Sequence, residues 1–124
     1  VTSFESIILI NRGNNKFDVQ KLPPLAQSIP ILTSDVYDIN NDGFEDIVVA
    51  GNIYNTEVET PRLDNQFALV LISNKNSNYN VIGPDKSGLY LSGNTKSIKI
   101  IGNDSPKLLV ANNNSDLEVF ELNK

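Results

Sequence analysis

The sequence predicts an all-β fold assembled from repeated four-stranded antiparallel sheets. Three observations lead there. Apolar runs of about four to seven residues recur along the chain, each bounded by Asn, Gly, Asp, Ser or Pro. No window of eleven or more residues holds a sustained helical stripe. Segments some 62 positions apart also resemble one another.

The elements follow in order. Ile7-Ile8-Leu9-Ile10 is an unbroken aliphatic run and reads as a buried strand. A polar turn leads to a second strand, Phe17 to Leu22, which opens aromatic-polar-Val. Pro23-Pro24 and Ser28-Ile29-Pro30 break strand pairing and read as a crossing between sheets. Asp35-Val36-Tyr37 and Ile47-Val48-Val49-Ala50 are strands three and four, separated by an acidic loop. Phe67 to Ile72 and Tyr79 to Ile82 follow after a long connection. Ser97 to Ile101, Leu108 to Ala111 and Leu117 to Leu122 complete nine predicted strands. Eighteen residues are Asn, mostly clustered between the runs, where Asn serves turns because it tolerates the left-handed backbone.

The runs repeat. Ile7 to Val19 lies over Leu69 to Val81 without a gap, as a buried strand, a polar turn and an aromatic-polar-Val strand. Ile47-Val48-Val49-Ala50-Gly51-Asn52 lies over Leu108-Leu109-Val110-Ala111-Asn112-Asn113 at nearly the same shift. Two matches at one period indicate a repeat architecture, with half a unit at 4–22, a whole unit at 34–82 and most of a third at 97–122. Four strands per unit suggests the blades of a β-propeller. A closed ring needs at least four blades of about 40 residues, so 124 residues would make an open fragment of a propeller. The alternative is a nine-strand β-sandwich, which has no need of the repeat.

Composition excludes several classes of function. A net charge of −5 gives no basic footprint for nucleic acid. No run approaches the roughly 20 apolar residues needed to insert through a membrane as a helix. Without Cys or His there is no thiol nucleophile, thiolate metal site or imidazole base. Met is also missing, even at position 1, which reads as a segment of a longer chain.

The acidic loop holds the chemistry. Asp38, Asn40, Asp42 and Asp46 occupy positions 1, 3, 5 and 9, with Gly43 at position 6 for the sharp turn. Alternate side chains can turn oxygens to one centre, and the Phe44 carbonyl at position 7 adds another. Oxygen donors at this spacing suit calcium, Ca2+, which takes six to eight of them at about 2.3–2.6 Å. The loop is no EF-hand, because position 12 is Val49 instead of Glu and the flanks read as strands. The competing reading is an Asn/Asp turn that binds nothing.

The run Asp-x-Asn-x-Asp-Gly-x-x-Asp followed by Ile-Val-Val resembles the FG-GAP/VCBS repeat of integrin-like β-propellers. That resemblance implies ligation through the side chains of Asp38, Asn40, Asp42 and Asp46 and the carbonyl of Phe44. The turn Asn11 to Phe17 also fits that family, whereas Gly102 to Lys107 has lost the alternating acids and is expected to hold no metal. The family usually binds other molecules, and calcium supports the blade.

The connection Asn52 to Asn65 is long enough to be functional. Glu57 and Glu59 are formally an acid/base pair. The blander reading pairs Arg62 with these acids to pin the loop, since no nucleophile or base partner is visible elsewhere. Asn103-Asp104-Ser105 and Asn113-Asn114-Ser115 match the glycosylation sequon.

The expectation is a non-catalytic, calcium-binding module of an extracellular, cell-surface or periplasmic protein. Its role would be adhesion, or binding of a protein or glycan partner. The alternative is the non-catalytic end of a larger secreted enzyme. Open sheet edges invite self-association. The terminal strands would pair within the chain or between molecules. Ile7, Leu9, Leu69 and Leu71 are candidates for a face that awaits a neighbour.

Overall fold

A computed structural model describes residues 3–74 and 78–123. Positions 75–77 of the second polar turn lie outside the described residues. The elements run β1 (Ile7–Asn11), β2 (Phe17–Lys21), α1 (Pro24–Gln27), β3 (Thr33–Tyr37), β4 (Asp46–Ala50) and β5 (Leu69–Ser73). They continue with β6 (Tyr79–Ile82), α2 (Pro84–Ser87), β7 (Thr95–Ile101), β8 (Lys107–Asn112) and β9 (Glu118–Glu121). The fold is all-β with antiparallel sheets, as the apolar runs predict. The described strands form sheets of two (β1-β2), four (β3-β4-β5-β6) and three (β7-β8-β9). No helix among the described residues is long and apolar enough to cross a membrane.

Side-chain alternation turns these sheets into layers. Successive residues of a strand face opposite sides. Val49, Leu69 and Leu71 of the middle sheet pack with Leu22, Ala26 and Ile29 and against Ile8 of the first sheet. Val48, Ala50 and Val70, one residue out of phase, pack with Ile98, Ile100, Leu108 and Val110 of the third. The middle sheet is therefore covered on both faces, which is why β4 and β5 carry unbroken apolar runs. Burying each such Leu or Val is worth roughly 1.5–3 kcal/mol.

This corrects one expectation. Leu69 and Leu71 are fully buried beneath the first sheet, while Ile7 (45% exposed) and Leu9 (57%) stay on its outer face with Phe17 (55%) and Val19 (66%). The two hairpins have equivalent registers, with Leu9 opposite Val19 and Leu71 opposite Val81. The first sheet does not extend the third, so the terminal strands leave each other unpaired within the described chain.

The proline crossing is more than a linker. Pro24–Gln27 makes one helical turn that buries Ala26, and Pro84–Ser87 makes another after β6. Proline suits the first helical turn because its missing N–H would have no partner there. A single turn of four residues is too short for a helical period to register in sequence.

The third sheet docks on the second through polar side chains at its edge. β7 is an edge strand whose outward amides need acceptors. Thr33 Oγ1 accepts from the Ile98 amide at 3.1 Å, and Asp35 Oδ2 accepts from the Ile100 amide at 2.5 Å. Lys99 Nζ donates to the other Asp35 oxygen at 2.8 Å. Two side chains of β3 thus cap the β7 edge where no strand continues the ladder. At the end of β4, Gly51 lets the chain pass Leu32, since a Cβ there would fall 2.7 Å from the Leu32 amide nitrogen.

Candidate metal centre

The acidic loop joins β3 to β4, and its acids first hold the loop's own backbone. Asp38 Oδ1 accepts from the Asp42 amide at 3.0 Å and Oδ2 from the Gly43 amide at 2.9 Å. Asn40 Oδ1 also accepts from the Asp42 amide at 3.1 Å, and its Nδ2 donates to Asp42 Oδ2 at 3.0 Å. Asp42 Oδ1 accepts from the Phe44 amide at 2.9 Å. Gly43 has φ +87°, the left-handed turn expected of position 6, and Asn41 has φ 55°. Residues 40–45 are exposed.

Asp46 is placed differently. It is fully buried, with Oδ2 accepting from the Ile39 amide at 3.0 Å and Oδ1 from the Ser73 amide at 2.9 Å. It ties the loop to the end of β5, a structural duty the sequence spacing did not reveal. Burial and the charges of Asp46 and Glu45 raise the pKa of the nearby Tyr79 phenol.

The donor set suits a hard cation. It holds three carboxylates and an amide oxygen on a backbone that already turns at Gly43, and each carboxylate oxygen has a second lone pair. The side chains do not converge: among the described residues no three Asp or Glu groups are gathered around one point. The residues therefore fit calcium in chemistry and sequence order, while their oxygens stand on backbone amides.

The long connection between β4 and β5 folds back on itself through a bridge between Ile53 and Leu63. Glu57 and Glu59 are exposed, and neither is the partner of Arg62. Arg62 instead meets Asp64 at 2.7 Å and lies 4.7 Å from the centre of the Tyr54 ring, correcting the expected pairing. The reason is reach: Tyr54 Oη donates to Asp64 Oδ1 at 2.8 Å, fixing ring and carboxylate side by side for the guanidinium. Burial and the Asp64 bond push the Tyr54 hydroxyl above its usual pKa. Burial works to raise the Asp64 pKa, but bonds from Tyr54 and Gln66 and the Arg62 charge outweigh it and hold it low. These contacts tie Tyr54, Arg62 and Asp64 together across the loop.

Sequence reading passed over the Asn residues that organise the opposite ends of the strands. Asn52 is buried, accepts from the Asn65 amide at 3.1 Å and donates to the Gly93 carbonyl at 2.8 Å, pinning the long loop to the segment that leads into β7. Its only sequence signal was the match of Asn52 with Asn113 across the repeat. Compared with known protein families, curated proteins and solved structures, the chain matches none.

Proposed function

We propose that the chain is a non-catalytic, calcium-stapled segment of a β-propeller that serves as a binding scaffold, for a protein or glycan, outside the cytoplasm. The carrying observation is the β3–β4 loop, where the Asp38, Asn40, Asp42 and Asp46 spacing is combined with a left-handed Gly43. Asp38, Asn40, Asp42 and Asp46 would hold the ion by side-chain oxygens and Phe44 by its carbonyl. The ion supplies positive charge to a turn that bears three carboxylates. The chain's own part is to bring both flanking strands into place beforehand, since β3 and β4 are paired up to Tyr37 and Asp46 and Asp46 also holds the loop at Ile39 and the end of β5 at Ser73.

Support for blades comes from the layered sheets and from the shared register of β1–β2 and β5–β6. Support for binding in place of catalysis comes from a long loop in which Tyr54, Arg62 and Asp64 are engaged with one another. Calorimetry with calcium tests the reading. At free calcium about 20-fold above Kd, linkage adds roughly 1.8 kcal/mol, so chelation lowers the melting temperature without unfolding the chain. Asp42→Ala reproduces the chelated state. An unchanged melting curve on chelation, together with no heat of calcium binding, defeats the proposal.

A further inference from the structure

One hollow of the molecule is polar and aromatic yet bears no charge. It measures about 320 Å3, at the lower end of the roughly 300–1,000 Å3 of small-ligand pockets. It lies past the ends of β4 and β8, whereas the acidic loop precedes β4. Three stretches enclose it: Tyr54 in the long connection, positions 92–94 before β7, and the turn at 113–115 after β8.

Hydrogen-bonding capacity is left over at this hollow. Among the described residues four buried side-chain polar atoms have no partner, and three of them belong here. Asn94 lines the hollow and is 5% exposed, and its Oδ1 is unpaired. Asn112 packs directly behind Gly93, where a Cβ would fall 2.4 Å from the Asn112 Cγ. Its Oδ1 accepts from Thr95 Oγ1 at 3.0 Å, and its Nδ2 is unpaired. Glu118 accepts from the Ser92 hydroxyl through Oε1 and leaves Oε2 unpaired. Donor and acceptor capacity thus stand side by side. The frame around them is fixed. The Asn94 carbonyl accepts from the Asn113 amide at 3.0 Å, and the Gly93 carbonyl from Asn52 Nδ2 at 2.8 Å. Tyr54 is held by Asp64 and Arg62. A preformed frame spends little affinity on ordering.

The lining chooses the ligand. Every residue that lines the hollow is Asn, Ser, Gly or Tyr. A metal ion would need carboxylates there, an anion Lys or Arg, and an oily ligand aliphatic walls. Amides and hydroxyls offer both donors and acceptors, and so does each hydroxyl of a sugar. The Tyr54 ring adds an apolar flank for the C–H face of a pyranose. We infer that this hollow binds a neutral saccharide, with its ring beside Tyr54 and its hydroxyls on Asn94, Asn113 and Ser115. The inference rests on the binding-scaffold reading and selects a glycan over a protein. A hollow this small seats a sugar ring, whereas a stable protein partner buries about 800 Å2 on each side.

Titration followed by amide NMR tests it, on protein from a bacterial host so that the sequon at Asn113 stays unmodified. The probes are glucose, galactose, mannose and N-acetylglucosamine, with glucuronate as the charged control. At least one neutral sugar should shift the amides of Gly93, Asn94 and 113–115 with a Kd at or below about 10 mM, and glucuronate should bind more weakly. Asn113→Ala with Ser115→Ala should weaken that binding about tenfold or more. Both side chains are exposed, so the double variant keeps its melting temperature. No shift from any neutral sugar at about 50 mM overturns the inference. Binding that the double variant leaves intact, or a preference for glucuronate, does the same. Each titration runs beside calcium calorimetry on the same sample. Sugar binding without calcium uptake supports the saccharide and defeats the staple; calcium uptake without sugar binding strikes the saccharide and leaves the staple.

Discussion

Asp35→Ala removes one of the two β3 side-chain acceptors that cap the β7 edge of the third sheet. Asp35 is 13% exposed and receives the Ile100 amide at 2.5 Å and Lys99 at 2.8 Å. With the carboxylate gone, the Ile100 N–H has no partner beside a nearly buried side chain, a loss of about 1–3 kcal/mol. The Lys99 contact adds only about 0–1 kcal/mol, because that side chain is 67% exposed. A total near 2–3 kcal/mol corresponds to a fall in melting temperature of roughly 6–12 °C for a chain of this size. Asp35→Asn keeps an acceptor oxygen and should lose less than half as much.

The acid limb gives a second readout. Burial raises the Asp35 pKa, but the Ile100 amide, Lys99 and the Val36 amide more than offset it, so the folded value lies below the usual carboxylate range. A folded pKa lower than the unfolded one, about 3.9, contributes stability above that pH and loses it as pH falls through the folded value. The melting gap between the parent chain and Asp35→Asn should therefore be constant from about pH 5 to 7 and narrow below about pH 4. Circular dichroism melts across that range decide it. An Asp35→Ala chain that melts with the parent, or a gap that widens in acid, refutes the edge-capping argument.

Three further variants probe the packing and the loop. Leu71→Ala, at a fully buried site between the first and middle sheets, should cost about 2–5 kcal/mol in chemical denaturation; a loss below 1 kcal/mol would mean the first sheet is not docked there. Gly51→Ala sets a Cβ 2.8 Å from the Pro30 carbonyl and 2.7 Å from the Leu32 nitrogen, so a drop of about 1–3 kcal/mol is expected, and a neutral result would show that the crossing can move aside. Glu57→Gln with Glu59→Gln should stay within about 0.5 kcal/mol of the parent in thermal melts, since both are exposed. If that pair of changes instead abolishes a hydrolytic turnover in a longer form of the protein, the loop regains an acid/base role.

Local chemistry was legible without the structure. Strand positions followed from where apolar runs meet turn residues, because alternation and breakers are properties of neighbouring residues. The left-handed Gly43 followed from the loop spacing, because a turn that tight needs a residue free of Cβ strain. What faces what was decided only in three dimensions. Leu9 and Leu71 hold matching positions in their hairpins, yet one is exposed and the other fully buried, because the middle sheet has the first sheet on that side and the first sheet has no neighbour there among the described residues. Arg62 chose Asp64 over Glu57 and Glu59 because Tyr54 had already fixed that carboxylate. Asp46 serves two strands through the Ser73 amide, a partner 27 residues away that no local spacing announces. Sequence patterns report the short-range preferences of a backbone. Burial and charge pairing depend on which distant surfaces meet, and the stacking of the sheets settles that.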